Sequence, residues 1–381
     1  MEFLYWFSIL IVFYTYFGYP LLLILIRQNL TKRTIDVDFD IWGIKFDFLI
    51  LAYNEEKVIA KKIENSLLIL KNFKNAKLRV VSDGSTDETN NICESYTKHP
   101  QFIFSPLPRS GKSQSINKIL EVIEGEIIIF SDANVEYTES TIIHLLKPYA
   151  DSNIGFTCGK VVYNNPEDVI SGKGESFYWK YENFLKKQES KLGYIAGATG
   201  AVYSIRKKLF LPLKHNCIND DFTISMNVIK QGFRSEYAEE AVVYESVAPT
   251  IEAEFNRHIR DATGHYLSLM HLTSLLNPLL GKPSFVFWSH RVLRWLVPLI
   301  LIFLFSLNIL LLSQNLFLLL FYLQILFYSL AVIAFIFRKI GKLPFFLFIP
   351  FYFCNLNSAL FIGFIKSLFI RQNGMWESTK R

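Results

Sequence analysis

Charge is scarce in this chain. Only 19% of its 381 residues are Asp, Glu, Lys or Arg, below the ~25% usual in soluble domains. Three stretches hold none at all: Phe3 to Ile26, Trp295 to Phe337 and Leu343 to Ile365. Cysteine is also scarce. Cys93, Cys158, Cys217 and Cys354 lie far apart, which excludes a disulfide framework and a paired-cysteine metal site and suits a reduced cytosolic compartment. The net charge of +6 gathers into no block of consecutive basic residues. The dense basic stripe of a nucleic-acid binder is therefore missing, and no nucleic-acid partner is expected. His99, His144, His258 and His265 have no metal-ligand spacing and read as structural. There is no tandem repeat and no low-complexity linker.

Hydrocarbon is abundant instead. The chain is 51% hydrophobic and 16% aromatic, with 35 Phe, and its mean hydropathy is +0.24. A bilayer span needs about 20 apolar residues. The first and third uncharged stretches fit one span each, and the second fits two, with Gln314-Asn315 as the turn. The first stretch begins with Glu2, runs too long for a secretory leader and is followed by no small-residue cleavage site, so it reads as an anchor. Arg27, Lys32 and Arg33 follow it. Positive flanks stay in the cytoplasm, which puts the N-terminus outside and the middle of the chain inside. The basic excess fits contacts with membrane lipids. Three C-terminal spans would leave the tail outside, yet Lys366, Arg371, Lys380 and Arg381 cluster there, against the positive-inside tendency. Asn355 and Asn357 leave open a re-entrant segment or a product path in the last stretch.

Residues 40–250 read as one α/β domain. Apolar strands at Phe46–Ala52, Leu78–Val81 and Glu126–Ser131, with a weaker one at Phe102–Phe104, alternate with helical patterns. That order predicts βαβ units and a mostly parallel sheet. With right-handed crossovers, the loops after the strands share one edge. Asn54 and Glu55, then Asp83 and Asp87, then Asp132 and Asn134 follow three of these strands. In open α/β sheets that rim binds ligands. The Ser131-Asp132-Ala133-Asn134 turn reads either as an Asx turn closing a strand or as two oxygen ligands for a hard cation bridging phosphates.

Later segments add further candidates. A helix is expected over about Glu175–Ser190, then the glycine-rich Gly193–Gly200, then a short strand at Ala201–Ile205. Asn219-Asp220-Asp221-Phe222 opens a helix in which Asp220 or Asp221 is a natural N-cap, although two adjacent carboxylates exceed what a cap needs. Phe255–Leu276 reads as an amphipathic helix lying at the membrane interface. Arg109-Ser110-Gly111-Lys112-Ser113 is no P-loop, because Pro106 stands where the first glycine belongs. Lys112 is then either a solvated lysine at a helix start or a point charge for a phosphate or carboxylate. Gly193–Gly200 follows a helix and precedes a strand, the wrong order for a dinucleotide fingerprint.

Tyr53-Asn54-Glu55, Ser82-Asp83-Gly84-Ser85-Thr86-Asp87, Ser131-Asp132-Ala133-Asn134 and Asp220-Asp221, in this order, resemble family 2 glycosyltransferases with a GT-A fold. The resemblance extends to the membrane-embedded branch similar to cellulose synthase or poly-N-acetylglucosamine synthase. The resemblance implies an α/β GT-A (Rossmann-like, mostly parallel sheet) domain with flanking transmembrane helices. The implied divisions are an N-terminal helix at 1–27, the GT-A domain at 40–250, interfacial amphipathic helices at 251–290, about three spans at 291–370 and a tail at 371–381.

The resemblance also implies roles. Tyr53, Asn54 and Glu55 would line the nucleotide pocket, Asp83 would hold the nucleoside, and Asp87 would support that loop. Lys112 would serve the nucleotide site. Asp132 would begin the metal-binding motif for Mg²⁺ or Mn²⁺, with Asn134 as its second ligand. Asp221, with Asp220 beside it, would be the base that takes the acceptor's proton. Gly197, Thr199 and Gly200 would wall the acceptor.

Two departures stand out. Asn134 is a neutral amide where a second carboxylate is usual. The Gln-x-x-Arg-Trp segment of processive relatives corresponds to Arg257-His258-Ile259-Arg260-Asp261, which keeps the Arg but lacks Gln and Trp. Arg260 would still reach the diphosphate, with Arg257 on the acceptor side. The expectation is a multi-pass membrane enzyme with a cytoplasmic catalytic domain. It would be an inverting hexosyltransferase moving sugar from a nucleotide donor, UDP first, to a saccharide acceptor in cell-surface polysaccharide or glycolipid synthesis, with export subunits as partners. The alternatives are a single addition to a polyprenyl-phosphate or lipid-linked acceptor, and a non-catalytic nucleotide-binding subunit.

Overall fold

The computed structural model describes residues 1–27, 40–164, 170–246, 250–338 and 343–369. Lys32, Arg33, Arg371, Lys380, Arg381 and the 371–381 tail lie outside the described residues. The N-terminal helix runs as α1 (Glu2–Phe13), a π turn (Tyr14–Gly18) and α2 (Tyr19–Arg27).

β1 (Phe46–Ala52) is buried along its whole length. It alternates in the way a strand must. Phe46, Phe48, Ile50 and Ala52 enter one core, and Leu49 and Leu51 enter the other. Around it stand α3 (Ile59–Leu70), β2 (Ala76–Asp83), α4 (Thr89–Ser95), β3 (Phe102–Leu107), α5 (Lys112–Val122), β4 (Ile127–Asp132) and α6 (Glu139–Leu146). The chain continues through β5 (Ile154–Asn164), α7 (Ile170–Leu192), β6 (Tyr203–Arg206), α8 (Asp220–Lys230) and β7 (Arg234–Ser246).

The seven strands form one sheet in the order β3-β2-β1-β4-β6-β5-β7. β1 pairs in parallel with both β2 and β4, whereas β6 runs antiparallel to β4 and β5. The chain leaves β1 toward β2 on one side and returns to β4 on the other. The crevice beyond the carboxyl ends of β1 and β4 is thus a switch point of the kind where ligands bind. The sheet bears out the mostly parallel α/β expectation. The sequence reading did not anticipate β5, α6 or β7.

The chain ends in α9 (Ile251–Leu269), α10 (Lys282–Phe287), α11 (Leu293–Leu310), α12 (Asn315–Phe337) and α13 (Phe345–Phe369). Among the described residues, four helices are long and apolar enough to cross a membrane: Glu2–Ile26, Lys282–Leu310, Asn315–Phe337 and Phe345–Phe369. The second starts before position 290, because a π turn at Trp288–Val292 joins α10 to α11 without a break. The expected boundary at 290 therefore falls inside a helix.

α9 ends at Leu269 rather than Leu276, and the chain then tightens into a 3-10 turn at Thr273–Leu276. One face of it packs inward. Ala262 packs tightly against Gly363 of α13, and Ile259, Ala262, Thr263, Tyr266 and Leu267 are buried. The core beneath α5 and α8 runs without interruption through Tyr266 into Phe287 and Trp295, so sheet domain and apolar helices share one packed interior.

Candidate active site

The first rim loop is built on strain. Asn54 adopts φ 55, a left-handed conformation that Asn tolerates better than most residues. Its side-chain oxygen accepts from Thr86 N at 2.8 Å, and its own N–H donates to Ser85 Oγ at 3.1 Å. Asp87 accepts from the amides of Glu56 at 3.2 Å and Thr89 at 3.0 Å. The loops after β1 and β2 are thereby clasped together.

Asp83 is buried and already engaged. Its carboxylate accepts from Ser110 N at 2.8 Å, Gly111 N at 3.0 Å, Ser115 Oγ at 2.8 Å and Arg109 Nη1 at 2.6 Å. The amide nest at 109–111, which looked superficially like a phosphate loop, thus holds an internal carboxylate. The Arg109 guanidinium lies 3.4 Å from the centre of the Tyr53 ring, a stacked cation–π contact.

The second group centres on Lys112, the first residue of α5. Its Nζ lies 3.5 Å from Asp132 Oδ1 and 3.3 Å from Asp220 Oδ2. Of the two sequence readings, the point charge facing carboxylates is the observed one. Burial alone would lower this ammonium, but Asp220, Asp132 and Asp221 outweigh it and hold the lysine above its usual range. Burial, then the neighbouring Asp220 charge, push Asp221 up to about 7 against the pull of Lys112. Asp221 Oδ1 accepts the Phe222 amide of the first turn at 2.8 Å, whereas Asp220 faces Lys112. The cap position is Asn219, which makes no side-chain cap bond and instead donates to the Asp261 carbonyl at 2.8 Å.

Beneath the β4 turn lies Lys62, which sequence reasoning missed. Its buried ammonium donates to Ser131 Oγ at 2.8 Å and to the Val135 carbonyl at 2.5 Å, and it sits over the Tyr137 ring at 4.5 Å. It clasps the turn that carries Asp132 and Asn134. Burial lowers it to about 7, against Asp132 and Glu136. Asn134 Nδ2 donates to Glu245 Oε1 of β7 at 3.4 Å.

A continuous cavity of about 2160 Å³ joins these groups. Asn54, Glu55, Asp87, Lys112, Asp132 and Asn134 line it, as do Thr199, Gly200, Asp220, Asp221, Arg257 and Arg260. Tyr53, Asp83 and Gly197 do not. Tyr53 and Asp83 stand behind the lining, held by Arg109. Gly197 takes φ +104 against Phe222, and a Cβ there would meet the ring at 2.6 Å. A Cβ on Gly200 would meet Asp221 Oδ2 at 3.3 Å, so this glycine leaves room beside the carboxylate. Lys186 of α7, also missed, donates to Thr199 Oγ1. Arg260 is paired with Asp261 at 3.4 Å on the cavity rim.

Among the described residues, no group of three or more His, Cys, Asp or Glu forms a cation cage. Asp132 is 36% exposed at its side chain and has Asn134 beside it. One carboxylate and one amide at an open rim suit a divalent cation completed by phosphate oxygens and water.

The cavity also runs where the sequence pattern gave no sign. Its walls continue through Tyr178, Trp179, Glu182, Arg291, Arg294 and Trp295. Glu182 pairs with Arg294 and with His290 at 3.2 Å. Glu189 accepts from Tyr19 and from His290, each at 2.7 Å. His265 stacks on Trp295 with ring centres 5.1 Å apart, and burial, then Arg291, lower it to about 3. The one available signal was Arg291 and Arg294 placed directly before an uncharged run.

Residues 134–362 match the model of glycosyl transferase family group 2, and residues 47–211 match that of glycosyl transferase family 2. The chain is 21% identical over 251 residues to the poly-beta-1,6-N-acetyl-D-glucosamine synthase of Staphylococcus aureus, covering 64% of this chain and 60% of that protein. It is 25% identical over 227 residues to a beta-monoglucosyldiacylglycerol synthase of Nostoc sp., covering 57% and 48%. The matches thus span about half to three-fifths of the length of these relatives. A mannosyltransferase from Pyrobaculum calidifontis, solved with GDP-Man and Mn²⁺, superposes with a TM-score of 0.68 over 97% of this chain and all of that one, at 18% identity. That likeness establishes the GT-A fold. With a family model matched over more than half its length, the chain belongs to glycosyl transferase family 2.

Proposed function

We propose that the protein is a membrane-anchored, inverting, metal-dependent glycosyltransferase. It takes sugar from a nucleotide donor, with UDP-sugars the first to test, and passes it to an acceptor hydroxyl at the cytoplasmic face of the cell membrane. The observation that carries this reading is the Lys112 ammonium shared between Asp132 of the β4 turn and Asp220 beside Asp221. It sets a diphosphate-facing rim and a proton acceptor against each other in one cavity.

In the reaction, the acceptor hydroxyl gives its proton to Asp221 as its oxygen attacks the anomeric carbon. The bond from that carbon to the diphosphate oxygen breaks, and the nucleoside diphosphate leaves with the electron pair. A single displacement inverts the anomeric configuration. Mg²⁺ or Mn²⁺ at Asp132 and Asn134 would neutralise charge on the diphosphate. Lys112 and Arg260 add fixed positive charge to that side, and Asn54, Glu55 and Asp87 shape the nucleotide rim. Thr199, Gly200 and Arg257 border the acceptor side.

Two acceptor classes fit the chemistry. One named relative makes a polysaccharide, the other a glucosyl lipid. A polymerase would call for export partners. The missing Gln and Trp at 257–261 weaken the processive reading, and the extension of the cavity among apolar helices favours a lipid or lipid-linked acceptor. Purified full-length protein supplied with a panel of nucleotide sugars tests the activity. Release of nucleoside diphosphate is the expected result, and loss of that release in Asp221→Asn would support the base. Product length separates a polymer ladder from a single addition.

A further inference from the structure

The membrane-side half of the cavity has walls of a different kind from the half around Asp221. Ile9, Phe13 and Phe17 of the N-terminal helix form one side, and Ile349, Phe353 and Leu356 of α13 form the other. The helices that supply them are uncharged over Phe3–Ile26 and Leu343–Ile365. Phe13 and Phe17 line the cavity yet are 57% and 66% exposed, so the cavity reaches the molecular surface on the flank of the apolar helices. Tyr16 touches Phe353 with ring centres 5.6 Å apart, which marks where the two walls meet.

A saccharide in this half would bury hydroxyls against hydrocarbon, and each buried polar group without a partner costs about 1–3 kcal/mol. A hydrocarbon chain would lose nothing of that kind and would gain roughly 25 cal/mol for each Å² of apolar surface it covers. Between this apolar groove and the carboxylates lies a polar collar that includes Tyr16, Tyr178, Arg294 and Asn357. Arg294 Nε and Asn357 Oδ1 have no hydrogen-bond partner within the protein. Arg291 and Arg294 share the single carboxylate of Glu182. The collar thus offers hydrogen bonds to a headgroup, and the choice between a hydroxyl and a phosphate falls to Asp221, which as a base can take a proton only from the hydroxyl.

We propose that the acceptor is a neutral membrane lipid whose headgroup ends in a hydroxyl. Its chains occupy the groove between the N-terminal helix and α13, and its headgroup passes the Arg294–Asn357 collar to reach Asp221. This inference rests on the sugar-transfer reading above. Its balance is the same displacement: the lipid hydroxyl loses its proton to Asp221, its oxygen bonds to the anomeric carbon, and the nucleoside diphosphate leaves. An anionic phosphate acceptor would have no such proton to give and no need of that base.

The experiment uses full-length protein in phosphatidylcholine vesicles with or without diacylglycerol, and the nucleotide sugar that is consumed in the panel. Labelled sugar in the organic-soluble fraction, dependent on diacylglycerol, is expected. Phe17→Trp and Ile349→Trp, which fill the groove, should raise the apparent KM for the lipid about tenfold. Leu323→Trp, on the exposed face of α12 away from the groove, should leave it unchanged and controls for folding. Donor consumption with only a water-soluble ladder of products would overturn the lipid acceptor and keep the transferase. Preference for added polyprenyl phosphate, or groove variants indistinguishable from Leu323→Trp, would also overturn it. Absence of any donor consumption would instead overturn the sugar-transfer reading, and this inference with it.

Discussion

The ammonium of Lys112 stands 3.5 Å from the carboxylate of Asp132, although the two residues stand at the opposite ends of the α5–β4 segment. Lys112 opens α5 and Asp132 ends β4, and the parallel sheet brings both to one rim. Because Asp220 shares the same ammonium at 3.3 Å, the lysine couples the donor side of the cavity to the acceptor side.

Replacing Lys112 with Met should therefore have two effects. Transfer should fall by about 10²-fold or more, the usual scale for losing a fixed charge at a reacting group. The acidic limb of the kcat/KM profile should also move upward, because Lys112 pulls the Asp221 carboxyl down. Lys112→Arg should retain much of the limb position. A Met variant whose profile keeps the wild-type limb would break the proposed coupling.

Asp221 gives a pH dependence with a defined sign. As a base it must be ionised, so kcat/KM should rise as pH increases through about 7. Stability runs the other way. A carboxyl raised on folding favours the protonated folded state, so its contribution is full below the unfolded value and is lost as pH rises through about 7. Asp221→Asn should abolish transfer while raising the melting temperature at pH 8 by about 2 °C, the scale that ~1 kcal/mol gives in a large domain. At pH 5 that gain should be clearly smaller, and it should vanish only below the unfolded carboxyl's value of 3.8. Melting curves of both proteins at the two pH values check it.

The β4 turn predicts a cation that depends on nucleotide. Asp132 and Asn134 supply one charge between them, and metal affinity follows ligand charge and number. Mn²⁺ should bind the protein alone weakly and bind it about tenfold or more tightly when UDP is present. Asn134→Asp should narrow that gap by strengthening binding to the protein alone. Titration followed by Mn²⁺ paramagnetic resonance measures both. Equal affinity with and without nucleotide would contradict the two-ligand arrangement.

The rim was legible because its strands are continuous apolar runs that stop at Asn54, Asp83 and Asp132. Each such stop is both a turn signal and a chemical group. β5 was not legible, since Gly155 and Gly159 read as turn residues. In the fold they permit close packing, and a Cβ on Gly159 would meet the Ala241 carbonyl at 2.4 Å. β7 was hidden by the polar run Arg234-Ser235-Glu236, which resembles a loop until β5 pairs with it. Asp83 read as a ligand group because its engagement depends on Ser110 and Gly111, a full crossover away. The membrane-side cavity was the least legible part. Tyr178, Arg294 and Asn357 come from three distant helices, and no local pattern ties them together.

A buried ionic cluster ties the sheet domain to the apolar helices. Glu182 of α7 is buried, and it faces Arg294, Arg291 and His290 on the helix that begins at Lys282. Burial alone would raise this carboxyl, but the surrounding cations outweigh it and hold it well below the usual range. Removing the carboxylate strands buried positive charge, which typically costs about 3–5 kcal/mol. Glu182→Ala should therefore destabilise the protein far more than an ordinary surface change, as measured by denaturant unfolding of the purified protein in detergent. Glu182→Leu combined with Arg294→Met should recover part of the loss, because it removes charge from both sides of the pair. If the single variant unfolded like wild type, the cluster would not be the clasp between α7 and the first C-terminal span. If the double variant were no better than the single, the loss would come from packing, with Arg294 not the partner that matters.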